Sequence, residues 1–518
     1  MTFDRRLSGI LLHPTSLPGP HGSGDFGPSA YHFLDWLAAA GQSLWQILPL
    51  TPIGPGNSPY ASVSAFAGSP LLVALEPLVE RGWMAPADAA AKAALGPDKY
   101  RLDFGRVVPF RMQALRRAAD GFSARASSAE REDFATFCTR EAHWLDDYAL
   151  FMALDTEYRA RAIWSWTKWE PGLARRAPQA LALASDRNRA AVAFWKFVQW
   201  CFFTQWRALK RYANDKGIRV VGDLPIFIAH HSADCWAHPD LFRLDANGEP
   251  QVIAGVPPDY FSPTGQRWGN PLYNWDKMAS DGFAWWIART RHELARADFV
   301  RIDHFRGFAA YWEIPASCPT AVEGSWQPAP GVALFDAIRA ALGDLAVIAE
   351  DLGVITPDVE ALRDRYALPG MKILQFAFGS DAAHAFLPHN YSPNCAVYTG
   401  THDNDTIVGW YASTTDRERE YARVYVDAEA DGMHWAMIRA ACASVARIAV
   451  YQMQDVLGLG AEHRMNTPSK LDCWTFRFDW DQVGPQPAER LARLAATYGR
   501  APIERLNLPA YPAGVPRP

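Results

Sequence analysis

The sequence predicts an α/β protein: a (β/α)8 TIM barrel with large insertions, one of them mainly helical. Three observations carry that expectation. An amphipathic helix, a glycine and a short apolar run recur as a unit, eight such runs can be counted, and acidic residues stand where several of them end. The alternative is a doubly wound parallel sheet, which more often opens with a glycine-rich phosphate turn. Here Leu12 is followed by His13, Pro14, Thr15 and Ser16 instead.

The clearest unit begins at residue 194. Phe194, Phe197, Cys201, Phe202, Gln205, Leu209 and Tyr212 recur at three- and four-residue steps, which puts them mostly on one face of a helix. Gly217 can supply a left-handed cap, and 218–221 reads as a strand ending at Gly222 and Asp223. The unit repeats as a helix at 334–342, Gly343, and a strand at 346–349 ending at Glu350 and Asp351. A third helix starts with Thr356 as N-cap and Pro357 in its first position, ends near Pro369 and Gly370, and precedes a strand at 372–378. Runs at 10–12, 44–48, 299–302, 396–399 and 446–451 complete the eight. Most are short and apolar, as strands covered on both faces must be.

Two gaps are too long for simple loops. Residues 51–193 contain helical patterns at 109–119 and 128–153 and are expected to form a mainly helical insertion. Residues 225–297 are rich in Pro, Trp, Tyr and Asn, particularly in GVPPDYF (255–261) and GQRWGN (265–270). That segment reads either as an ordered aromatic lid over a cleft or as irregular packing. The whole chain, 1–518, is expected to be one catalytic unit.

Composition narrows the function classes. The net charge is -5 without a long run of like charges, which argues against nucleic acid or a membrane surface as partner. Seven scattered cysteines without a C-x-x-C pair indicate neither a zinc site nor a disulfide framework. The first ten residues lack the apolar run of a signal peptide, and no stretch reaches the length of a membrane span, so the expected location is cytoplasmic. Aromatic residues make up 13% of the chain, with 21 Trp. Such an excess fills a large core or offers flat platforms to ligands such as sugar rings; the core is the commoner use.

The chemistry concentrates at strand ends. In VRIDHFRG (300–307), side chains alternate, so Arg301 and Asp303 share a face. An Arg beside an Asp keeps the carboxylate ionised, as a nucleophile requires, although a structural ion pair would look the same. Glu350 in VIAEDLG (347–353) follows Ile and Ala, and partial burial there would raise its pKa toward that of a general acid; a turn cap is the plainer alternative. Asp403 in YTGTHDND (398–405) stands beside His402 and could instead serve an Asx turn or a helix cap. Asp223 ends a fourth strand. Carboxylates at several strand C-termini, without a phosphate loop or metal cluster, suit glycosyl transfer. A metal site from His304, His402 and Asp403 fits no ligand spacing, so neither metal nor cofactor is expected.

At these residues the sequence resembles the amylomaltases, the 4-α-glucanotransferases or disproportionating enzymes of the α-amylase superfamily. The resemblance runs from GILLHPTSLP (9–18) to RMNTP (464–468) and is most specific at 300–315, 349–353, 400–404 and the loop 255–273. It implies Asp303 as nucleophile, Glu350 as acid/base, and Asp403 as a carboxylate that grips sugar hydroxyls. It implies Arg301, His304, His402 and Asp223 around the bond-breaking subsite, Tyr60 stacked on the sugar, Gln266 and Trp268 over the cleft, and Asn466 from the last loop. The implied reaction is retaining transfer of α-1,4-glucan segments between maltooligosaccharides or other glucans, with glucose also an acceptor; a hydrolase on the same barrel is the alternative. Two positions depart from the family pattern: Ser469 where Gly is usual after Asn-x-Pro, and Cys473 where Asn usually precedes Trp.

Overall fold

The computed structural model describes residues 5–90, 96–258, 262–428, 432–468 and 470–501. Eight strands lie parallel to one another: β1 (Leu7–Leu11), β2 (Leu44–Gln46), β3 (Arg219–Pro225), β4 (Phe299–Asp303), β5 (Val347–Ala349), β6 (Gly370–Ile373), β7 (Cys395–Tyr398) and β8 (Ile448–Gln452). Their spatial order is β6-β7-β8-β1-β2-β3-β4-β5. The remaining seam, between β5 and β6, is joined by the Ala349 N–H donating to the Pro369 carbonyl at 2.9 Å. One turn further on, the Met371 N–H donates to Asp351 Oδ1 at 2.6 Å, and Arg363 holds the other Asp351 oxygen at 2.6 Å. The cylinder therefore closes, and the fold is a (β/α)8 barrel.

Burial follows from that closure. Every residue of β1, β7 and β8 is buried, because side chains facing in fill the barrel and those facing out meet the helical ring. Gly370 sits at the seam for a steric reason. A Cβ there would lie 2.2 Å from Asp351 Oδ2, so only glycine lets the carboxylate reach across.

Several boundaries differ from the sequence expectation. The run at 372–378 divides into β6 and a 3-10 turn, Leu374–Phe376. The chain leaves the sheet early because Gln375 turns across the barrel mouth and donates to the Asp405 carbonyl at 2.7 Å. The helix after Thr356 is Pro357–Arg365, four residues shorter than expected, and the Thr356 side chain makes no cap bond. The pattern at 109–119 belongs to a longer helix, Phe104–Arg125, capped by Asp103, with Pro109 inside it. The pattern at 128–153 is two helices, Ser128–Arg140 and Ala142–Arg159, separated at Glu141.

Residues 225–297 are more regular than their composition suggests. The strands Val252–Val256 and Gln266–Pro271 pair antiparallel and join Ala310–Pro315 and Ser325–Pro328 in a four-stranded sheet. Residues 259–261, part of the expected lid, lie outside the described residues. No helix among the described residues is long and apolar enough to cross a membrane.

Candidate active site

Parallel strands deliver all their C-terminal ends to one mouth of the barrel. There the chain forms a cleft of about 2430 Å³, lined by Asp303, Glu350 and Asp403 among others. Arg301 sits at its base, almost wholly buried, and its guanidinium has two acidic partners. Nη1 lies 2.9 and 2.8 Å from the two oxygens of Asp223, and Nη2 lies 2.9 Å from Asp303 Oδ1. Register produces this triangle: Asp223 on β3 lies opposite Arg301 on β4, and alternation returns Asp303 to the same side two residues later.

Asp223 lies deeper than the sequence resemblance implied. Its side chain is fully covered, and it also accepts from the Tyr60 hydroxyl at 2.9 Å. Asp223 thus positions Arg301 and Tyr60 from behind. Burial pushes its carboxyl upward and the Arg301 guanidinium opposes that shift. Arg301 itself is held well above its ordinary value by Asp223 and Asp303, against the effect of its own burial.

Glu350 begins where β5 ends, beside the end of β4. Its Oε2 accepts from the His304 main-chain N–H at 2.7 Å and its Oε1 from the Leu352 N–H at 2.9 Å. The turn-capping role weighed against catalysis is therefore present, and each oxygen keeps a second lone pair for other work. Burial raises the Glu350 carboxyl to about 7; Asp303 adds to the shift, while Arg301 and the two N–H groups oppose it. His304 adopts a left-handed conformation (φ 52°, ψ 49°), a strained state worth about 1–3 kcal/mol. That turn delivers its N–H to Glu350, and its ring meets Trp268 edge-on at 4.9 Å. His304 Nε2 is buried without a hydrogen-bond partner, and burial lowers the imidazole to about 4, so the ring is neutral.

Asp403 reaches the cleft from the loop after β7. Oδ1 accepts from Asn466 Nδ2 at 2.6 Å, Oδ2 lies 3.4 Å from His402 Nε2, and Arg464 donates to its carbonyl. Thr406, not Asp403, caps the following helix, and the neighbouring Asn404 Oδ1 accepts from the Thr401 N–H three residues earlier at 2.8 Å. Tyr60 stacks on His402 at 5.1 Å with an interplanar angle of 13°, and Trp474 tilts against both rings. Burial lowers the His402 pKa.

Gln266 and Trp268, from the expected lid, both line the cleft, with the Trp268 indole N–H donating to Gln266 Oε1 at 3.1 Å. Of the two departures from the family pattern, Ser469 lies outside the described residues. Cys473 Sγ accepts from the Thr467 N–H at 3.4 Å, which ties the last loop together just before Trp474. Among the described residues, the His/Asp/Glu group that draws closest together is His21, Asp25 and Glu76, and Asp25 there already bears the Arg111 guanidinium at 2.5 Å.

Sequence reasoning did not single out three exposed aromatic side chains of this cleft: Trp164, Trp326 and Phe376. Sequence signals for them are weak. One Trp of 21 carries no mark of exposure, and Phe376 falls in a run that reads as strand.

Comparison with known proteins agrees with this geometry. A family model described as 4-alpha-glucanotransferase matches residues 12–482. The chain is 52% identical over 499 residues to a 4-alpha-glucanotransferase of Thermus thermophilus, covering 95% of this chain and 98% of that one. It is 47% identical over 503 residues to a 4-alpha-glucanotransferase of Synechocystis sp., covering 96% and 99%. Among solved structures, an amylomaltase from Streptococcus agalactiae in complex with acarbose superposes with a TM-score of 0.93 at 38% identity, covering 96% of this chain and 100% of that one. With a closed barrel, three carboxylates at its mouth and relatives matched along nearly their whole length, the chain belongs to the 4-alpha-glucanotransferase family.

Proposed function

We propose that this protein transfers segments of α-1,4-glucan from a donor chain to the 4-hydroxyl of an acceptor glucan or of glucose, with retention at the anomeric carbon. The observation that carries the reading is the pairing of an Arg-held carboxylate, Asp303, with a buried, proton-retaining carboxyl, Glu350, at the ends of adjacent strands. Retaining chemistry needs two carboxyl groups about 5 Å apart, and neighbouring strands lie about 4.8 Å apart.

In this mechanism Asp303 attacks the anomeric carbon and Glu350 gives its proton to the departing 4-oxygen. The products are a covalent glycosyl-enzyme and a shortened chain. Glu350, now ionised, takes the proton of the incoming 4-hydroxyl, whose oxygen displaces Asp303 and restores the α-linkage. Asp403, held by Asn466, grips hydroxyls of the distorted ring, and the unpartnered Nε2 of neutral His304 is available to another. No cofactor enters.

Transfer prevails over hydrolysis when water is kept from the intermediate. We assign that task to the segment 225–297, with Trp268 and Gln266 over the cleft, and read 51–193 as an insertion that walls one side of a single catalytic unit, 1–518. All seven cysteines are free, which fits a reducing compartment and hence a cytoplasmic location.

Incubation with maltotriose tests the proposal. Transfer leaves the number of reducing ends constant while glucose and longer chains accumulate. A steady rise in reducing ends would instead identify a hydrolase.

A further inference from the structure

Four Trp or Phe side chains are exposed among the described residues: Trp164, Trp268, Trp326 and Phe376. All four line the cleft at the barrel mouth. Apolar rings left in water forgo the stabilisation of burial, so their concentration at a single place calls for a ligand face. Trp268, Trp326 and Phe376 belong to the mouth sheet and to the turn after β6. Trp164 belongs to neither. It follows the helix Ala142–Arg159 in the helical stretch, and at 62% it is the most exposed of the four.

The Trp164 ring is held in place from behind. The Arg159 guanidinium lies over it, 5.3 Å from the ring centroid. Arg159 Nε is fixed by Asp155 Oδ2 at 2.6 Å, and Asp155 Oδ1 pairs with His231 Nε2 at 2.8 Å. His231 Nδ1 accepts from the Trp166 N–H at 3.2 Å, so Nε2 carries the ring proton and donates to Asp155. Asp155, Arg159 and His231 also line the cleft. His231 comes from the segment after β3, so this relay latches the helical stretch to the barrel side and fixes the indole before any ligand arrives. A polar edge beside an aromatic face is the chemistry that recognises a sugar ring: its flat C–H side stacks and its hydroxyls find donors and acceptors.

We propose that the outward face of Trp164 is an outer glucan subsite, stacking on a glucose unit several residues away from the bond that is cut. The proposal rests on the reading of the cleft as an α-glucan site. The space supports it: small-molecule sites occupy about 300–1,000 Å³, and this cleft of about 2430 Å³ takes a chain longer than the sugars that flank the carboxylates.

The test compares Trp164→Ala and Trp164→Phe with the parent protein on two donors, maltotriose and amylose. Trp164→Ala should raise KM for amylose about five- to tenfold, the size of a well-packed contact, with kcat little changed and maltotriose kinetics unaltered. Trp164→Phe should recover most of the loss. Unchanged amylose kinetics in Trp164→Ala would overturn the subsite, and so would an equal loss on both donors. Binding gives a second reading. Calorimetric titration of Asp303→Asn with maltoheptaose should weaken when Trp164→Ala is added, and titration with maltose should not. If the parent transferred glucan from neither donor, the reading of the cleft itself would fail, a result distinct from a silent Trp164→Ala.

Discussion

The main-chain N–H of His304 donates to Glu350 Oε2 at 2.7 Å, and His304 is the residue immediately after Asp303. The strand end that carries one of the two proposed catalytic acids therefore grips the other. Asp303 and Glu350 cannot drift apart without breaking this bond or straightening the left-handed turn at His304. Such coupling fixes the two strand ends relative to each other, and it holds before substrate arrives.

The pH profile should report Glu350. Its carboxyl is raised by burial to about 7, and the proposed first step needs it protonated, so kcat/KM should fall as pH rises through about 7. Glu350→Gln should lower turnover by about 10²–10⁴-fold, the usual range for a general acid. A profile flat from pH 6 to pH 9 would remove Glu350 from the role.

Asp303→Asn should abolish turnover, with a fall of about 10⁴–10⁶-fold as for other covalent nucleophiles, while glucan affinity stays within a few-fold of the parent. Calorimetry with maltotriose beside a transfer assay separates the two quantities. Substantial remaining activity would exclude Asp303 as the nucleophile.

Asp223 acts behind the site, and its loss should register first in stability. Its side chain is fully covered and shared between Arg301 and the Tyr60 hydroxyl. Asp223→Ala leaves the buried guanidinium with Asp303 as its remaining close partner, and losing one partner of a buried ion pair costs about 3–5 kcal/mol. Tyr60→Phe keeps the stack on His402 and removes one hydrogen bond to a buried acid, which should cost about 1–3 kcal/mol. Urea unfolding followed by circular dichroism measures both, and Asp223→Ala should show the lower midpoint.

The barrel seam offers a check on the fold. Gly370→Ala would put a methyl group 2.2 Å from Asp351 Oδ2, displacing the carboxylate that holds the Met371 N–H and Arg363. Overpacking of this kind costs about 1–3 kcal/mol. Thermal unfolding at a temperature equal to or above that of the parent would show that the seam does not depend on Asp351.

Most of the barrel was legible because its signals are local. Periodicity in 194–216, the glycine at 217 and the short apolar run at 218–221 each reflect forces between near neighbours along the chain. So do the alternation that puts Arg301 and Asp303 on one side and the apolar residues that precede Glu350. The antiparallel sheet was not legible. It joins 252–256 and 266–271 to 310–315 and 325–328, strands that pair across a barrel strand and a turn, and no local pattern records such a pairing. The early end of β6 was hidden for the same reason, since Gln375 turns toward a carbonyl thirty residues away.

The aromatic excess divides along the same line. Composition by itself allowed core or platform, and both uses occur: Trp45, Trp83, Trp236 and Trp286 are sealed in the interior, while Trp164 and Trp268 face the cleft. What the sequence determined alone was the set of chemical groups and the strand ends that carry them, because helix and strand periods are written in adjacent residues. Tertiary structure decided which of those groups meet. Asp223 went beneath Arg301, Glu350 came under the amide of His304, and an indole from the helical stretch was turned toward the cleft, since burial and hydrogen-bond partners depend on segments that only folding brings together.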